Sequence, residues 1–180
     1  MKGFVLGVVA TIVCIGIAGY IYFDFGYAPV SVYSAPMPFE KMMANKALHA
    51  KIDREMPKDV PLQANETTYQ AGAQVYRENC AVCHGLPGQP QTNIGKGEFP
   101  KPPKLMEGMG VTDDPPGETF WKVQNGIRLT GMPGFKNTLS TDQIWQVSLL
   151  LANADKLPDS VKNQLSTPEA LPGTNTPLPK

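Results

Sequence analysis

Two cysteines and a histidine in the middle of the chain, Cys80-Ala81-Val82-Cys83-His84, have the Cys-x-x-Cys-His spacing of covalent haem attachment. Each thiol adds across one vinyl group of the porphyrin. A separation of about one helical turn places both sulfurs at the same edge of the ring. The adjacent His84 is then directed at the iron as an axial ligand. The pattern predicts one haem c, bound through Cys80 and Cys83.

Two other uses of paired cysteines fit this sequence less well. A redox-active Cys-x-x-Cys pair needs no adjacent histidine and is typical of a strand–helix–strand context. A zinc site requires four ligands, and the remaining cysteine and histidine are Cys14, within an apolar run, and His49. Because two of the three cysteines are assigned to haem, we expect no disulfide.

A second axial ligand is predicted at Met132, in a Gly-Met-Pro turn that follows His84 by 48 residues. Glycine and proline restrict this turn, so the thioether can be held against the haem face opposite His84. A methionine is more often core filler, and the chain contains eight. Met106 and Met109 are therefore competing ligands.

The stretch from residue 85 to 116 is rich in glycine and proline and cannot hold a long helix or a central strand. We interpret it as an irregular wrap around a flat cofactor. One of its prolines is expected to present a carbonyl to the Nδ1–H of His84 and so orient the ring. The sequence does not decide which one, and Pro103 is a candidate haem contact together with Leu105.

Polar side chains near this wrap are candidates for binding the haem propionates or a partner. Arg128 can pair with a propionate or remain a solvated loop charge, and Trp121 can donate its indole N–H or fill the core. Five lysines from segments expected to rim the haem can steer an acidic partner, although acidic residues are interspersed among them: Lys96, Lys101, Lys104, Lys122 and Lys136.

The elements that position these residues are predicted to be helices. Apolar periodicity and capping residues indicate four of them: 39–55, from Asn65 or Thr67 to 79, 118–125 ended by Gly126, and 140–154. Gly72 costs about 1 kcal/mol of helix propensity. We expect it to allow close approach of the 140–154 helix, the alternative being a tolerated surface glycine. Residues 161–165 predict only a weakly amphipathic turn, and the proline-rich tail from 166 is expected to be disordered or to lie extended on a partner.

Residues 3–23 carry no charge and would form a helix of about 31 Å, the thickness of a bilayer's hydrocarbon core. Aromatic residues between Tyr20 and Tyr27 resemble an interfacial belt. Lys2 predicts a cytoplasmic start. We therefore expect a transmembrane helix in contact with lipid. The alternative is a cleavable signal peptide, for which Ser34-Ala35 is a weak site.

Charge and composition limit the remaining possibilities. Lys+Arg and Asp+Glu both total 16, and without a basic run the chain is not predicted to bind nucleic acid. Four parts are expected: a transmembrane anchor (1–23), a periplasmic connector with one amphipathic helix (24–64), a haem domain (65–157) and a proline-rich tail (158–180).

The haem motif, Gly131-Met132-Pro133 and the flanking helices resemble the class I mono-haem c-type cytochromes, particularly bacterial membrane-anchored members, over residues 65–154. The resemblance implies an all-α fold of three to five helices wrapped around one covalent haem. It also implies a single-pass inner-membrane protein with its haem domain in the periplasm, and redox partners such as a membrane or periplasmic dehydrogenase or oxidase. One departure is Leu150, where the family often carries an aromatic residue.

Electron transfer is the predicted function, because His84 and Met132 would fill both axial positions and leave no site for a substrate. The protein would then be a carrier, or a fixed subunit of a larger oxidoreductase, and not itself an enzyme. The alternative is a haem-based sensor or peroxidase-like enzyme with a labile methionine. A peroxidase usually needs a distal acid–base residue, and the other imidazole, His49, lies outside the predicted haem domain.

Overall fold

The computed structural model describes residues 1–107 and 112–167, and every regular element in these residues is a helix. The four helices predicted after the N-terminal one are confirmed, with ends within two residues of those expected. Those described are α1 (Lys2–Asp24), α2 (Glu40–Glu55), α3 (Glu66–Asn79), α4 (Ala81–His84), α5 (Asn93–Lys96), α6 (Pro116–Asn125), α7 (Thr141–Ala152) and α8 (Asp159–Ser166).

The chain divides into two compact units, Met1–Ala44 and Asn45–Lys180. The first contains α1, which has a mean hydropathy of 2.5 and no buried residue in its most apolar window. Its length and composition suit a membrane span, although a signal sequence meets the same criteria. The division falls inside the predicted 24–64 connector.

Helices α3 and α7 cross closely in the second unit, at the glycine where the sequence predicts it. A Cβ atom on Gly72 would lie 2.8 Å from the carbonyl carbon of Gln146, nearer still to its oxygen, and 3.1 Å from Cβ of Leu150. Tyr76, one turn later, is fully buried, and its hydroxyl donates to the carbonyl of Gly85 at 2.8 Å. The predicted close approach is confirmed, and it connects the α3–α7 core to the end of the haem motif.

Helix α6 completes the core against α7. The rings of Phe120 and Trp145 stack with centroids 4.2 Å apart and an interplanar angle of 27°. Ser140 begins α7 with a capping box, in which its side chain accepts from the N–H of Gln143 while the Gln143 side chain accepts from Ser140 N–H. The stacked rings pack α6 against α7, the two helices that precede and follow the loop carrying Met132.

The prediction of a mere turn near residue 161 is wrong, because α8 is an eight-residue helix with Val161 and Leu165 buried. The buried Arg77 of α3 donates through Nη1 to the carbonyls of Gln164 at 2.9 Å and Thr167 at 2.9 Å. These bonds satisfy carbonyls that a helix end otherwise leaves without partners. The predicted disordered tail lies, from residue 168, outside the described residues.

The end of α2 and the residues after it belong to the second unit. Ile52 is fully buried, and Glu55 Oε2 accepts from the indole Nε1–H of Trp121 at 3.3 Å. A Cβ atom on Gly117 would lie 3.2 Å from the carbonyl carbon of Pro57, so this glycine permits the segment to lie against the start of α6. The end of α2 and the residues that follow it therefore pack against α6.

Candidate haem site

The Cys-x-x-Cys-His motif lies where α3 ends and α4 begins. Cys80 N–H still donates to the carbonyl of Tyr76 at 2.8 Å, as in a continuing helix, and His84 N–H donates to the carbonyl of Cys80 at 2.9 Å. This single helical turn directs both thiols and the imidazole toward one cavity, and all three residues line its wall.

The cavity encloses about 750 Å³ of empty space, part of it open to solvent. Its wall comes from residues 79–84, from the wrap at 98–105, from the segment 123–135 and from Leu151. Most of the lining is apolar, which suits a planar macrocycle.

Six of the eight predicted site residues lie on this wall: Cys80, Cys83, His84, Pro103, Leu105 and Met132. The other two do not line it. Arg128 is exposed, and the indole N–H of Trp121 is directed at Glu55. Binding of a propionate by either residue stays a prediction. His49 is exposed and is also absent from the wall.

The imidazole of His84 is oriented by the wrap. Its Nδ1 lies 2.8 Å from the carbonyl oxygen of Pro103. Burial lowers the pKa of His84, while the hydrogen bond to Pro103 and the charge of Glu98 oppose that shift. With the proton on Nδ1 donated to Pro103, the lone pair of Nε2 is free for a metal.

The wrap is held against α4 by a short helix that the sequence does not predict. Thr92 caps α5 by accepting from the N–H of Gly95 at 3.1 Å, and its hydroxyl also donates to the carbonyl of Val82. Gln91 Nε2 donates to the carbonyl of Pro102 at 3.2 Å. The stretch predicted to be an irregular wrap without a long helix therefore contains one short ordered turn, which aligns the prolines with His84.

The loop that carries Met132 is closed by its own hydrogen bonds. Ile127 N–H donates to the carbonyl of Met132 at 3.2 Å, and Met132 N–H donates to the hydroxyl of Thr130 at 3.1 Å. Gly126 adopts a positive φ of 68°, and a Cβ atom there would lie 2.6 Å from the nitrogen of Gly134. The half-buried Met132 side chain is thus presented by a loop with few alternative conformations.

Sequence reasoning missed Glu98, which lines the cavity. Its Oε1 accepts from the Cys83 thiol at 3.0 Å, and a Cβ atom on Gly131 would lie 2.7 Å from its Cδ. The carboxylate therefore touches both the haem motif and the Met132 loop. In the sequence Glu98 is only one acid among several lysines, and no spacing relates it to position 83 or 131.

Neither thiol ionises readily in this environment. Burial is the main cause that raises the pKa of Cys80 to about 12, and the charge of Cys83 adds to it. Burial is also the main cause that raises the pKa of Cys83 to about 12, and the hydrogen bond and charge of Glu98 add to it. The thiols, the oriented imidazole and the thioether on one apolar wall form a donor set that fits haem c.

Two of the five lysines that were predicted to rim the haem form ion pairs with acidic residues. Lys104 Nζ lies 2.9 Å from Glu107 Oε2, and Lys122 Nζ lies 2.6 Å from Glu118 Oε1. Lys101 lines the cavity. Steering of an acidic partner by these lysines stays a prediction.

Comparison with known families identifies the class of protein. Residues 67–149, slightly less than half of the chain, match the family model described as cytochrome C oxidase, cbb3-type, subunit III. These residues form a class I c-type cytochrome domain, which binds haem c and serves haem-based electron transfer. The predicted family and fold class are confirmed.

Other comparisons are more distant. The chain is similar to a chain of the reducing HAO-like protein complex Kustc0457/Kustc0458 of Kuenenia stuttgartiensis, with 21% identity and a TM-score of 0.48. That alignment covers 74% of this chain and 54% of the other, so the match spans about half the length of that protein. A comparison with curated proteins found no match.

Proposed function

We propose that this protein is a membrane-anchored, periplasmic mono-haem cytochrome that carries single electrons between redox partner proteins, with iron ligated by His84 and Met132. One observation carries this proposal: His84 and Met132 line the same cavity as Cys80 and Cys83. The bound haem supplies a one-electron iron couple. The two thiols attach it.

The protein's own residues make this couple useful for transfer. Pro103 holds His84 in one orientation, and the hydrogen bonds of residues 127–132 restrain the Met132 loop. Side chains held in this way would keep nearly the same positions in both oxidation states of a bound iron. If His84 and Met132 both ligate that iron, they would leave no position open for a substrate. A thioether also favours ferrous iron relative to a harder ligand, which raises the reduction potential.

Helix α1 supports attachment to the inner membrane by its length and hydropathy. We infer that it is retained and not cleaved, and that Lys2 stays on the cytoplasmic side, which puts the haem domain in the periplasm. Full-length protein should then require detergent. Soluble protein with an N-terminus near Ala35 would instead indicate a signal peptide.

Replacing Met132 with alanine tests the ligand assignment. The variant should lose the weak long-wavelength band of methionine-ligated ferric haem, bind carbon monoxide more readily and have a lower reduction potential. The fall should exceed about 0.1 V, given that axial ligands span roughly 0.8 V. Met106→Ala is the matched control, because Met106 is half-buried against the same core but does not line the cavity.

Two outcomes would contradict the proposal. If Met132→Ala keeps the band and potential while Met106→Ala loses them, the ligand is assigned wrongly; Met109, outside the described residues, is the third methionine to test. If the parent protein itself binds carbon monoxide readily, one axial position is open, and the sensor or peroxidase-like alternative is supported.

A further inference from the structure

Large apolar side chains are exposed along the chain that follows α1. Between residues 25 and 44, Val30 is 93% exposed, Tyr33 88% and Phe39 70%, and Phe25, Tyr27 and Met42 are also exposed. The charged residues of this stretch are Glu40 and Lys41, which cancel. An apolar surface of this extent marks a contact with something other than water.

The apolar surface ends where the first compact unit ends. Residues 45–59 of the same chain carry seven charges. Their large aliphatic side chains are covered, Leu48 being half-buried and Ile52 fully buried. In the described residues from 45 to 167, the large apolar side chains that remain exposed are four scattered ones: Val60, Ile94, Phe99 and Leu129. The exposed set at 25–43 is therefore a property of the first unit, which contains α1.

We propose that residues 25–43 form a second membrane contact, lying in the headgroup region of the bilayer that α1 spans. This inference rests on the proposed membrane anchoring. The segment is continuous with α1, since Phe25 N–H donates to the carbonyl of Ile21 at 3.1 Å and Tyr27 N–H to that of Tyr22 at 3.1 Å. The exposed rings of Tyr27 and Tyr33 suit the boundary between headgroups and acyl chains, and so does the zero net charge of the segment.

The backbone sets the depth of this contact. Residues 25–38 contain no helix, and Pro29, Pro36 and Pro38 interrupt them. Backbone N–H and C=O groups without internal partners cannot enter hydrocarbon, because no water is available there. The segment must therefore remain at the interface, where water and headgroups satisfy these groups while the apolar side chains reach inward. Such a contact restricts the cytochrome to partners at the same membrane.

Lipid photolabelling of the full-length, haem-loaded protein tests the proposal. The protein is placed in phosphatidylethanolamine–phosphatidylglycerol vesicles containing a phospholipid with an acyl-chain diazirine, irradiated, and mapped by peptide mass spectrometry. We expect adducts in α1 and in residues 25–43, with a yield in 25–43 at least tenfold that in residues 45–59. The double variant Val30→Asp/Tyr33→Asp should lower the 25–43 yield at least fivefold without changing that of α1. Val60→Asp, at an exposed apolar position of the second unit, should change neither.

The contrary outcomes distinguish the membrane contact of residues 25–43 from the membrane anchoring by α1. Adducts confined to α1 would overturn the second contact while leaving the anchor intact. Absence of adducts from α1 as well would overturn the membrane anchoring itself. The same vesicles are also treated with a homobifunctional amine-reactive reagent, which can join Lys41 of two copies. Lys41–Lys41 crosslinks, found where lipid adducts of residues 25–43 are missing, would assign the surface to a second copy of the chain and refute the lipid contact.

Discussion

Replacing Gly72 with alanine perturbs the helix crossing on which the haem cavity is built. The new Cβ would lie 2.8 Å from the carbonyl carbon of Gln146 and 3.1 Å from Cβ of Leu150, with the Gln146 oxygen nearer still. Ordinary contacts between carbon atoms are about 3.5–4.0 Å. The obstacle is mainly backbone and cannot rotate away, so α3 and α7 must separate locally by roughly 1 Å, a gap that forfeits a quarter to a half of a dispersion contact.

The size of the effect follows from two opposing terms. Overpacking a core typically costs about 1–3 kcal/mol, and a backbone obstacle beside the fully buried Tyr76 and Leu150 places this site near the upper end. Alanine favours the helix over glycine by about 1 kcal/mol. We therefore expect Gly72→Ala to lower the free energy of unfolding by about 2 kcal/mol.

Guanidinium titration of the haem-loaded protein in detergent, followed by far-UV circular dichroism, measures this change. Gln70→Ala is the control, because Gln70 is exposed on the same helix and its loss should change stability by less than about 0.5 kcal/mol. A Gly72→Ala variant as stable as the parent, or more stable, would show that α3 and α7 do not cross as closely as the structure has them.

Two further predictions concern the cavity wall. The double variant Cys80→Ala/Cys83→Ala should retain no haem after acid–acetone extraction, because the thioethers provide the covalent attachment; covalent haem in that protein would contradict the assignment. Glu98→Gln should raise the reduction potential, since a nearby negative charge stabilises ferric iron. If the carboxylate lies about 10 Å from the bound iron and the effective dielectric constant is about 20, its charge would contribute roughly 1.7 kcal/mol, or about 70 mV for one electron. Spectroelectrochemical titration measures the shift, and an unchanged or lower potential would show that the Glu98 charge does not act on the iron.

Local chemistry is what the sequence reveals well. The haem motif depends on adjacency, so Cys80, Cys83 and His84 can be recognised without any knowledge of the fold. Helix caps and apolar periodicity are also local. They predict that α3 begins at Asn65 or Thr67 and α7 at Ser140 or Thr141, and the structure has Asn65 and Ser140 as the caps. The apolar run of α1 is equally evident, because a membrane span is defined by length and hydropathy.

Contacts between distant residues are what the sequence does not reveal. Helix α8 is too short to be stable alone. Its Val161 and Leu165 are buried, and Arg77, more than 80 residues earlier, donates to carbonyls at its end. The fold also directs the indole N–H of Trp121 to Glu55, 66 residues away. Neither pairing follows from composition or spacing.

The cofactor, the class of fold and the candidate ligands can therefore be predicted from the amino-acid sequence, because they depend on residue type and short-range spacing. Which proline faces His84 depends on the folded chain. Several carbonyls of the wrap were equivalent in the sequence, and the turn of α5, anchored by Thr92 on Val82, brings Pro103 to the imidazole. The same folding places Glu98 between Cys83 and Gly131. An irregular segment has no period from which such positions can be read, so its long-range contacts alone determine them.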